Sequence, residues 1–495
     1  MLFIGSMILI FLALSAAIFR RFNIPMIILA LSIGIFFGSD VTGIIYFDNA
    51  ALTKRIADLV LVFVLFAGGF SIKKKDLQPV FAPTLILATL GVVGTALATA
   101  YLFHLLAGWR FMDALLISTI ISSTDAAAVF SILRNTPLQR RVSSITEIES
   151  AANDPMAIIS TTFIIGILSG GEVEAGRAVF QFLWNLAGGL LIGYGIGRLG
   201  ILVFRKIREV EEGYYYILII GIALASYSLA DLAGASGMLS AFFAGLVLGN
   251  AKIPHRTPIA SFTGTLSFVA NAGLFILLGL LVFPRGLLEI WPEGLLLFLL
   301  ITFIGRPLSV FICTAVFKLK TKEKAFLSWS GIRGSVPIVL ATYPSAAGLD
   351  PGNRIFNMAF FAVTLSILIQ GTSIGSIARF LKLSVKEKPR KTQKMELVTI
   401  HDSKYELAEV YVDPQMYEGE VFLSDIGLSQ ETTVTMISRG QRILAPRGNT
   451  ILTPGDVVTV LVEEHKADEA AERILEKFHA KTIQIPKDLK DRVLP

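Results

Sequence analysis

Apolar runs long enough to cross about 30 Å of hydrocarbon recur from Leu2 to about Leu381, separated by short polar breaks. They predict thirteen membrane spans, at about 2–19, 24–38, 57–72, 80–106, 111–133, 143–169, 177–203, 213–233, 237–250, 262–283, 292–317, 325–346 and 355–381. The shortest, 24–38 and 237–250, lie near the lower limit for crossing. From about Ser384 the pattern turns charged and alternating. Tyr405–Val412, Val434–Ser438 and Val457–Val462 are rich in β-branched residues and predict short strands, punctuated by Pro446, Gly448, Pro454 and Gly455-Asp456. Lys466–Phe478 reads as an amphipathic helix. The expected architecture is an all-α polytopic membrane domain over 1–383, a basic linker over 384–395, a small α+β domain over 396–480 and a tail over 481–495.

Two of the spans are poor simple helices. The fifth carries Ser122-Ser123-Thr124-Asp125, and the twelfth carries Gly331-Ile332-Arg333-Gly334-Ser335-Val336-Pro337. Six spans flank the seventh on either side, so the two interrupted spans hold matching places. That arrangement permits an inverted repeat of the kind secondary transporters use, with discontinuous helices at the site.

Charge fixes an orientation. Alternate loops hold Arg20/Arg21, Lys73/Lys74/Lys75, Arg134/Arg140/Arg141, Arg205/Lys206/Arg208, Lys252/Arg256 and Lys318/Lys320/Lys322/Lys324. The other loops hold only Lys54, Arg55, Arg110, Arg177, Arg285 and Arg354. By the positive-inside rule the N-terminus lies outside and the C-terminal domain is cytoplasmic. No basic region precedes the first apolar run, so the first span is expected to be retained rather than cleaved.

Composition agrees with a membrane protein of the cell membrane. Of 495 residues 54% are hydrophobic and 17% charged, with mean hydropathy +0.68, against roughly a quarter charged in soluble proteins. The net charge of +6 follows from loops and linker, and no nucleic-acid partner is implied. The single cysteine, Cys313, excludes an intrachain disulfide.

The informative chemistry is two carboxylates inside apolar spans, Asp125 and Asp154. An ionisable side chain at the bilayer centre costs on the order of 3 kcal/mol on insertion scales and usually marks an ion or proton path. Each has a polar neighbour, Thr124 and Asn153. An alkali cation needs several hard oxygens. The carboxylates, the Thr124 and Ser150 hydroxyls, the Asn153 carbonyl and freed backbone carbonyls of an interrupted helix supply them. Glu149 and Asn153 stack on one helix face, with Ser150 and Asp154 on the adjoining stripe. Burial disfavours a charged carboxylate, so protons and cations compete at Asp154. Competition combined with alternating access suffices for exchange; neither a cofactor nor an enzymatic site is called for.

Other readings stand beside this one. Asp125 can be a helix cap, and Asp154, before Pro155, can simply begin a helix. Glu149 and Arg333 read as a structural ion pair, while Arg306 neutralises a carboxylate or snorkels. Gly195-Ile196-Gly197-Arg198-Leu199-Gly200 matches a dinucleotide fingerprint without the strand it requires. Gly189, Gly193 and Gly197 instead give a smooth helix face suited to close packing. At the level of function, a ligand-gated cation channel and a non-transporting ion sensor are the alternatives, although no potassium-channel filter sequence occurs.

Thr124-Asp125, Glu149-Ser150-Ala151-Ala152-Asn153-Asp154 and Gly331-Ile332-Arg333-Gly334-Ser335-Val336 resemble the motifs of the NhaP/NHE-like monovalent cation:proton antiporters, over about residues 1–383. The resemblance implies a homodimer in lipid, a core apart from a dimerisation domain, and crossing of the fifth and twelfth spans. It makes Asp154 the exchanging carboxylate and Asp125, Thr124 and Ser150 members of the site. It pairs Glu149 with Arg333. Asn153 before Asp154 is the pattern of the electroneutral branch. One departure is visible: many members carry an acid in a Phe-acid-Gly-Gly context where this chain has Phe66-Ala67-Gly68-Gly69. Residues 396–477, through Arg442–Val458, resemble the RCK_C (TrkA-C) ligand-sensing domain, without the Rossmann-like half that often precedes it. That implies regulation by a small ligand such as a nucleotide, with a ligand-free dimerising domain as the alternative. By analogy it tilts the cation toward K⁺ over Na⁺.

Overall fold

The computed structural model describes all residues except 1, 20–25, 126–137, 171–174, 208–210, 351, 385–392, 396–404, 413–420, 430, 441, 464–465, 467–468, 472 and 476–495. The second half of the expected span 111–133, most of the basic linker, the end of the expected helix Lys466–Phe478 and the 481–495 tail therefore fall outside the described residues. The chain divides into two compact units, Met1–Ser384 and Val385–Pro495.

The first unit is helical. Its helices are α1 (Leu2–Phe19), α2 (Met26–Phe37), α3 (Ala50–Ser71), α4 (Lys74–Ala107), α5 (Phe111–Ile120), α6 (Arg140–Leu168) and α7 (Ala175–Lys206). There follow α8 (Glu212–Leu232), α9 (Gly237–Gly249), α10 (Arg256–Leu281), α11 (Pro284–Cys313), α12 (Thr321–Trp329), α13 (Ser335–Ala346) and α14 (Arg354–Phe380). Seven of the described helices are long and apolar enough to cross a membrane, namely α4, α6, α7, α8, α10, α11 and α14. Their apolar side chains face outward as well as inward: Leu90, Leu191 and Ile217 are each more than 60% exposed. That suits a hydrocarbon solvent.

Packing sorts the helices into two bundles. α2, α3, α7, α8, α9 and α10 pack mainly on one another, and α4, α5, α6, α11, α13 and α14 form the second set. In the first, small residues let backbones meet: a Cβ on Gly69 or Gly245 would run into the facing helix, so α3 and α9 lie in backbone contact. The bundles join chiefly where α3 meets α13, with α6 also touching α3, α7 and α9. At the N-terminal end of α3, Lys54 bonds Asp58 at 2.8 Å and lies 4.4 Å above the Tyr343 ring of α13. The Tyr343 hydroxyl donates to Asp58 in turn, so three side chains tie the bundles there.

The interruptions lie where the sequence placed them. α5 stops at Ile120 and Ser122–Asp125 are non-helical; their side chains compete with the backbone for hydrogen bonds. α12 stops at Trp329, Gly331–Gly334 are non-helical, and α13 starts at Ser335. Pro337 stands in its first turn, where a missing N–H is not needed. The two breaks face each other. The Asp125 N–H donates to the Ile332 carbonyl at 2.7 Å, so each stretch satisfies polar backbone that lipid cannot. π-helical turns occur in α4 (Leu87–Gly91), α11 (Ile301–Gly305) and α14 (Ser366–Gly371). That of α4 packs on the Arg306–Cys313 part of α11, where the Ser309 hydroxyl donates to the Gly91 carbonyl at 2.8 Å, and that of α11 packs on the Val92–Ala107 part of α4.

The second unit holds a five-stranded antiparallel sheet in the order β1-β2-β7-β4-β5 and a two-stranded sheet β3-β6. The strands are β1 (Gln393–Met395), β2 (Tyr405–Tyr411), β3 (Val421–Phe422), β4 (Thr433–Arg439), β5 (Arg442–Leu444), β6 (Ile451–Leu452) and β7 (Asp456–Glu463). In the β2–β7 register Ala408 faces Val460 and Val410 faces Val458, and all four are buried with Ile437, Leu452 and Ile474. Asp456 is fully buried and takes two bonds of 2.8 Å from Arg439. Those bonds raise the Arg439 pKa above its ordinary value.

Candidate functional site

α6 supplies most of the site because its polar residues fall on two neighbouring stripes. Glu147, Ser150, Ala151 and Asp154, at intervals of three, four and seven, line a cavity of about 340 Å³. α3 closes one wall with Val64, Ala67, Gly68 and Ser71. The α5 break brings Thr124 and Asp125, the start of α13 brings Gly334 to Pro337, and α10 brings Ser267 and Asn271. Thr124, Asp125, Ser150 and Asp154, far apart in the chain, thus share one chamber. Among the described residues of its lining three are carboxylic acids and none is Lys or Arg.

The neighbouring stripe of α6 faces away from the cavity. Glu149 and Asn153 stack as i and i+4, and the Asn153 amide donates to Glu149 Oε1 at 3.1 Å and to Thr124 Oγ1 at 2.7 Å. Its carbonyl accepts the Thr124 N–H at 3.3 Å. Ser150 Oγ and Thr124 Oγ1 lie 2.8 Å apart. Asn153 is fully buried and does not line the cavity. Its side chain fixes the α5 break to α6, so its oxygen is committed to the backbone rather than presented to an ion as the sequence suggested.

The ion pair expected between Glu149 and Arg333 forms with Arg306 instead. Arg306 holds both Glu149 oxygens, at 3.1 and 2.7 Å, and both residues are 1% exposed. The π-helical turn ends directly before Arg306, and Pro307, with no N–H, follows it; such turns re-aim a side chain. Arg333 donates to both breaks and to α14: Ile121 O at 3.3 Å, Gly331 O at 2.6 Å and Gln370 Oε1 at 3.4 Å, its Nη2 having no partner among the described residues. Its N–H reaches Ser366 Oγ at 3.1 Å. The Gln370 amide donates to the Trp329 carbonyl at 3.1 Å. Arg333 therefore braces the two facing non-helical stretches, with the π-helical turn of α14 as its support.

Four contributors escaped the sequence reading: Glu147, Asn271, Ser366 and Gln370. Glu147 and Gln370 were visible as polar residues inside apolar spans. Ser366 and Asn271 carried no signal that distinguishes them from ordinary helix serines and asparagines. The fingerprint-like Gly195–Gly200 lies inside α7, and Gly189 and Gly197 sit against Leu239 and Val247 of α9.

Gly334 sets the tightest constraint. A Cβ there would overlap the Asp125 side chain. Gly334→Ala is expected to lower stability by about 1–3 kcal/mol and to displace Asp125 from the cavity. Unfolding in a denaturing-detergent titration checks this. Gly331→Ala, whose added carbon meets Arg306 and Thr124 at 3.1 and 3.2 Å, should be the milder change; equal stability of the Gly334 variant and the unsubstituted protein would contradict the constraint.

Residues 7–380 match the family described as "Sodium/hydrogen exchanger, transmembrane", and 408–475 match the TrkA-C domain. The chain is 33% identical to the K(+)/H(+) antiporter NhaP2 of Shewanella oneidensis over 464 residues, covering 93% of this chain and 81% of that one. It is 35% identical to the K(+)/H(+) antiporter NhaP of Alkalimonas amylolytica over 81% of this chain and 70% of that one. The sodium proton antiporter MjNhaP1 of Methanocaldococcus jannaschii, solved at pH 8, superposes with a TM-score of 0.68 at 24% identity, over 76% of this chain and 97% of that one. The last likeness concerns the fold.

Proposed function

The chain belongs to the sodium/hydrogen exchanger family, and from that membership we propose that it exchanges a monovalent cation, K⁺ in preference to Na⁺, for H⁺ across the cell membrane. The observation that carries this reading is the chamber in which Asp154 and Asp125 meet the hydroxyl-bearing Thr124 and Ser150, beside the facing breaks of two helices. A cation held there by Asp154, Thr124 and Ser150 is displaced when Asp154 takes a proton, so each species leaves with the arrival of the other. Asn153, uncharged and committed to the Thr124 backbone, leaves one exchanging carboxyl in the Asn153–Asp154 pair. That supports one cation per proton and no net charge moved.

The lining runs along α3 to Ser71 and Ile72 and along the N-terminal part of α6, the ends that carry Lys73–Lys75, Arg140 and Arg141. With the N-terminus outside and the C-terminal domain cytoplasmic, the cavity faces the cytoplasm. The interrupted helices and the paired π-helical turns of α4 and α11 support an inverted repeat within a thirteen-span fold. The chain works as a homodimer, and its TrkA-C domain regulates exchange on binding a small ligand. The names of the two relatives as K(+)/H(+) antiporters support K⁺.

The test is proton movement in proteoliposomes holding the full chain and an internal pH dye, with K⁺, Na⁺ or Li⁺ added in turn. A K⁺-triggered signal, unchanged when the membrane potential is clamped, is the expected result. A response to Na⁺ alone would reassign the ion. Cation flux without proton movement would overturn exchange in favour of a channel.

A further inference from the structure

The carboxylates of the cavity differ in depth. Asp125 sits at the α5 break and Asp154 in the middle of α6 beside it, whereas Glu147 lies seven residues before Asp154 on the same stripe of α6. Seven residues at 1.5 Å each set it about 10 Å nearer the end of the chamber at which α6 begins. Glu147 is half-buried and makes no hydrogen bond or ion pair with a described residue. The charged groups that act on it at that end are Asp76, bonded to Arg140 at 2.6 Å, and Lys73, which precedes α4 and does not line the cavity. The facing α3 wall, Ala67 included, carries no charge. A carboxylate inside a span is costly, and among the described residues Lys73 offsets it only at a distance, without an ion pair.

Resting on the exchange reading above, we infer that Glu147 is the capture residue of the cavity: it draws a monovalent cation into the chamber and hands it to Asp154, and so sets apparent cation affinity rather than turnover. A unit charge about 10 Å from the site, in a setting between protein and water, changes local cation occupancy about fivefold. Its position on the wall matters less than its charge. A carboxylate on the opposite wall at Ala67 therefore replaces it.

The experiment compares the full-length protein, Glu147→Gln and the double variant Ala67→Glu/Glu147→Gln in proteoliposomes, with K⁺ as the varied ion. Glu147→Gln is expected to raise the half-saturating K⁺ about fivefold while the maximal rate falls less than twofold. The double variant should return it to within twofold of the unsubstituted value. Added choline chloride should weaken K⁺ capture in the unsubstituted protein and scarcely in Glu147→Gln. An unchanged half-saturating K⁺, or a maximal rate lost with half-saturation unchanged, overturns the inference. K⁺-dependent thermal stabilisation of the purified proteins gives a second readout that needs no transport. Absence of exchange in every variant, with the stabilisation midpoint still shifted in Glu147→Gln, would count against the exchange reading and leave the capture role supported.

Discussion

Asp154→Asn is expected to reduce cation-dependent proton movement at least about a hundredfold while the protein folds and purifies as before. The substitution conserves volume, and Asp154 lines a cavity rather than the packed core, so little packing is lost. It removes the group that either carries the proton or balances the cation, and the Thr124 and Ser150 hydroxyls that share its proposed cation site cannot titrate in its place. Asp125 shares the cavity but is not among the groups proposed to hold the cation, and Asn keeps its backbone bond to Ile332, so Asp125→Asn should leave measurable exchange. Dye-reported proton flux with both variants decides this. Exchange above about a tenth of the unsubstituted rate in Asp154→Asn would remove Asp154 from the centre of the mechanism.

The largest stability effect is expected at Arg306. Breaking a buried ion pair from one side strands the other charge, at a cost of about 3–5 kcal/mol, and here the stranded group would be Glu149 at 1% exposure. Arg306→Met should therefore unfold at markedly lower denaturant. Glu149→Gln in the same chain should recover most of the loss, because a neutral amide next to an apolar side chain requires no counter-charge. A double-mutant cycle tests the partner directly: strong coupling of Glu149 with Arg306, and clearly weaker coupling with Arg333, which acts on it only through space. The reverse pattern would show that Arg333 is the working partner.

That partner exchange shows what a sequence conveys and what it withholds. Periodicity runs along a helix, so the two stripes of α6, the interruptions at Ser122–Asp125 and Gly331–Gly334, and bounds such as Glu212–Leu232 against an expected 213–233 were legible. The strands β2, β4 and β7 were legible for the same reason. Which helix faces which is a property of packing between distant segments. Arg306 and Arg333 are each a lone guanidinium in an apolar span, and nothing local says that the π-helical turn before Arg306 aims it at Glu149 while Arg333 turns to the backbone of the breaks. Glu147 was missed because an acid on a half-polar helix looks like any solvated residue until the cavity beside it is seen. Likewise Asn153 beside a working carboxylate reads as a ligand, and only the Thr124 N–H reveals its occupation.

The tie formed by Lys54, Asp58 and Tyr343 lies about two turns beyond the cavity lining on both α3 and α13. It joins the bundles through polar atoms, not interlocked apolar side chains. Hydrogen bonds of this kind trade for bonds to water at small net cost, whereas parting a dry apolar seam exposes area at roughly 25 cal/mol per Å². Were the bundles to part at that end, these polar contacts would pass to water at little cost, and the activity of water at that face of the membrane would bear on how readily they do so.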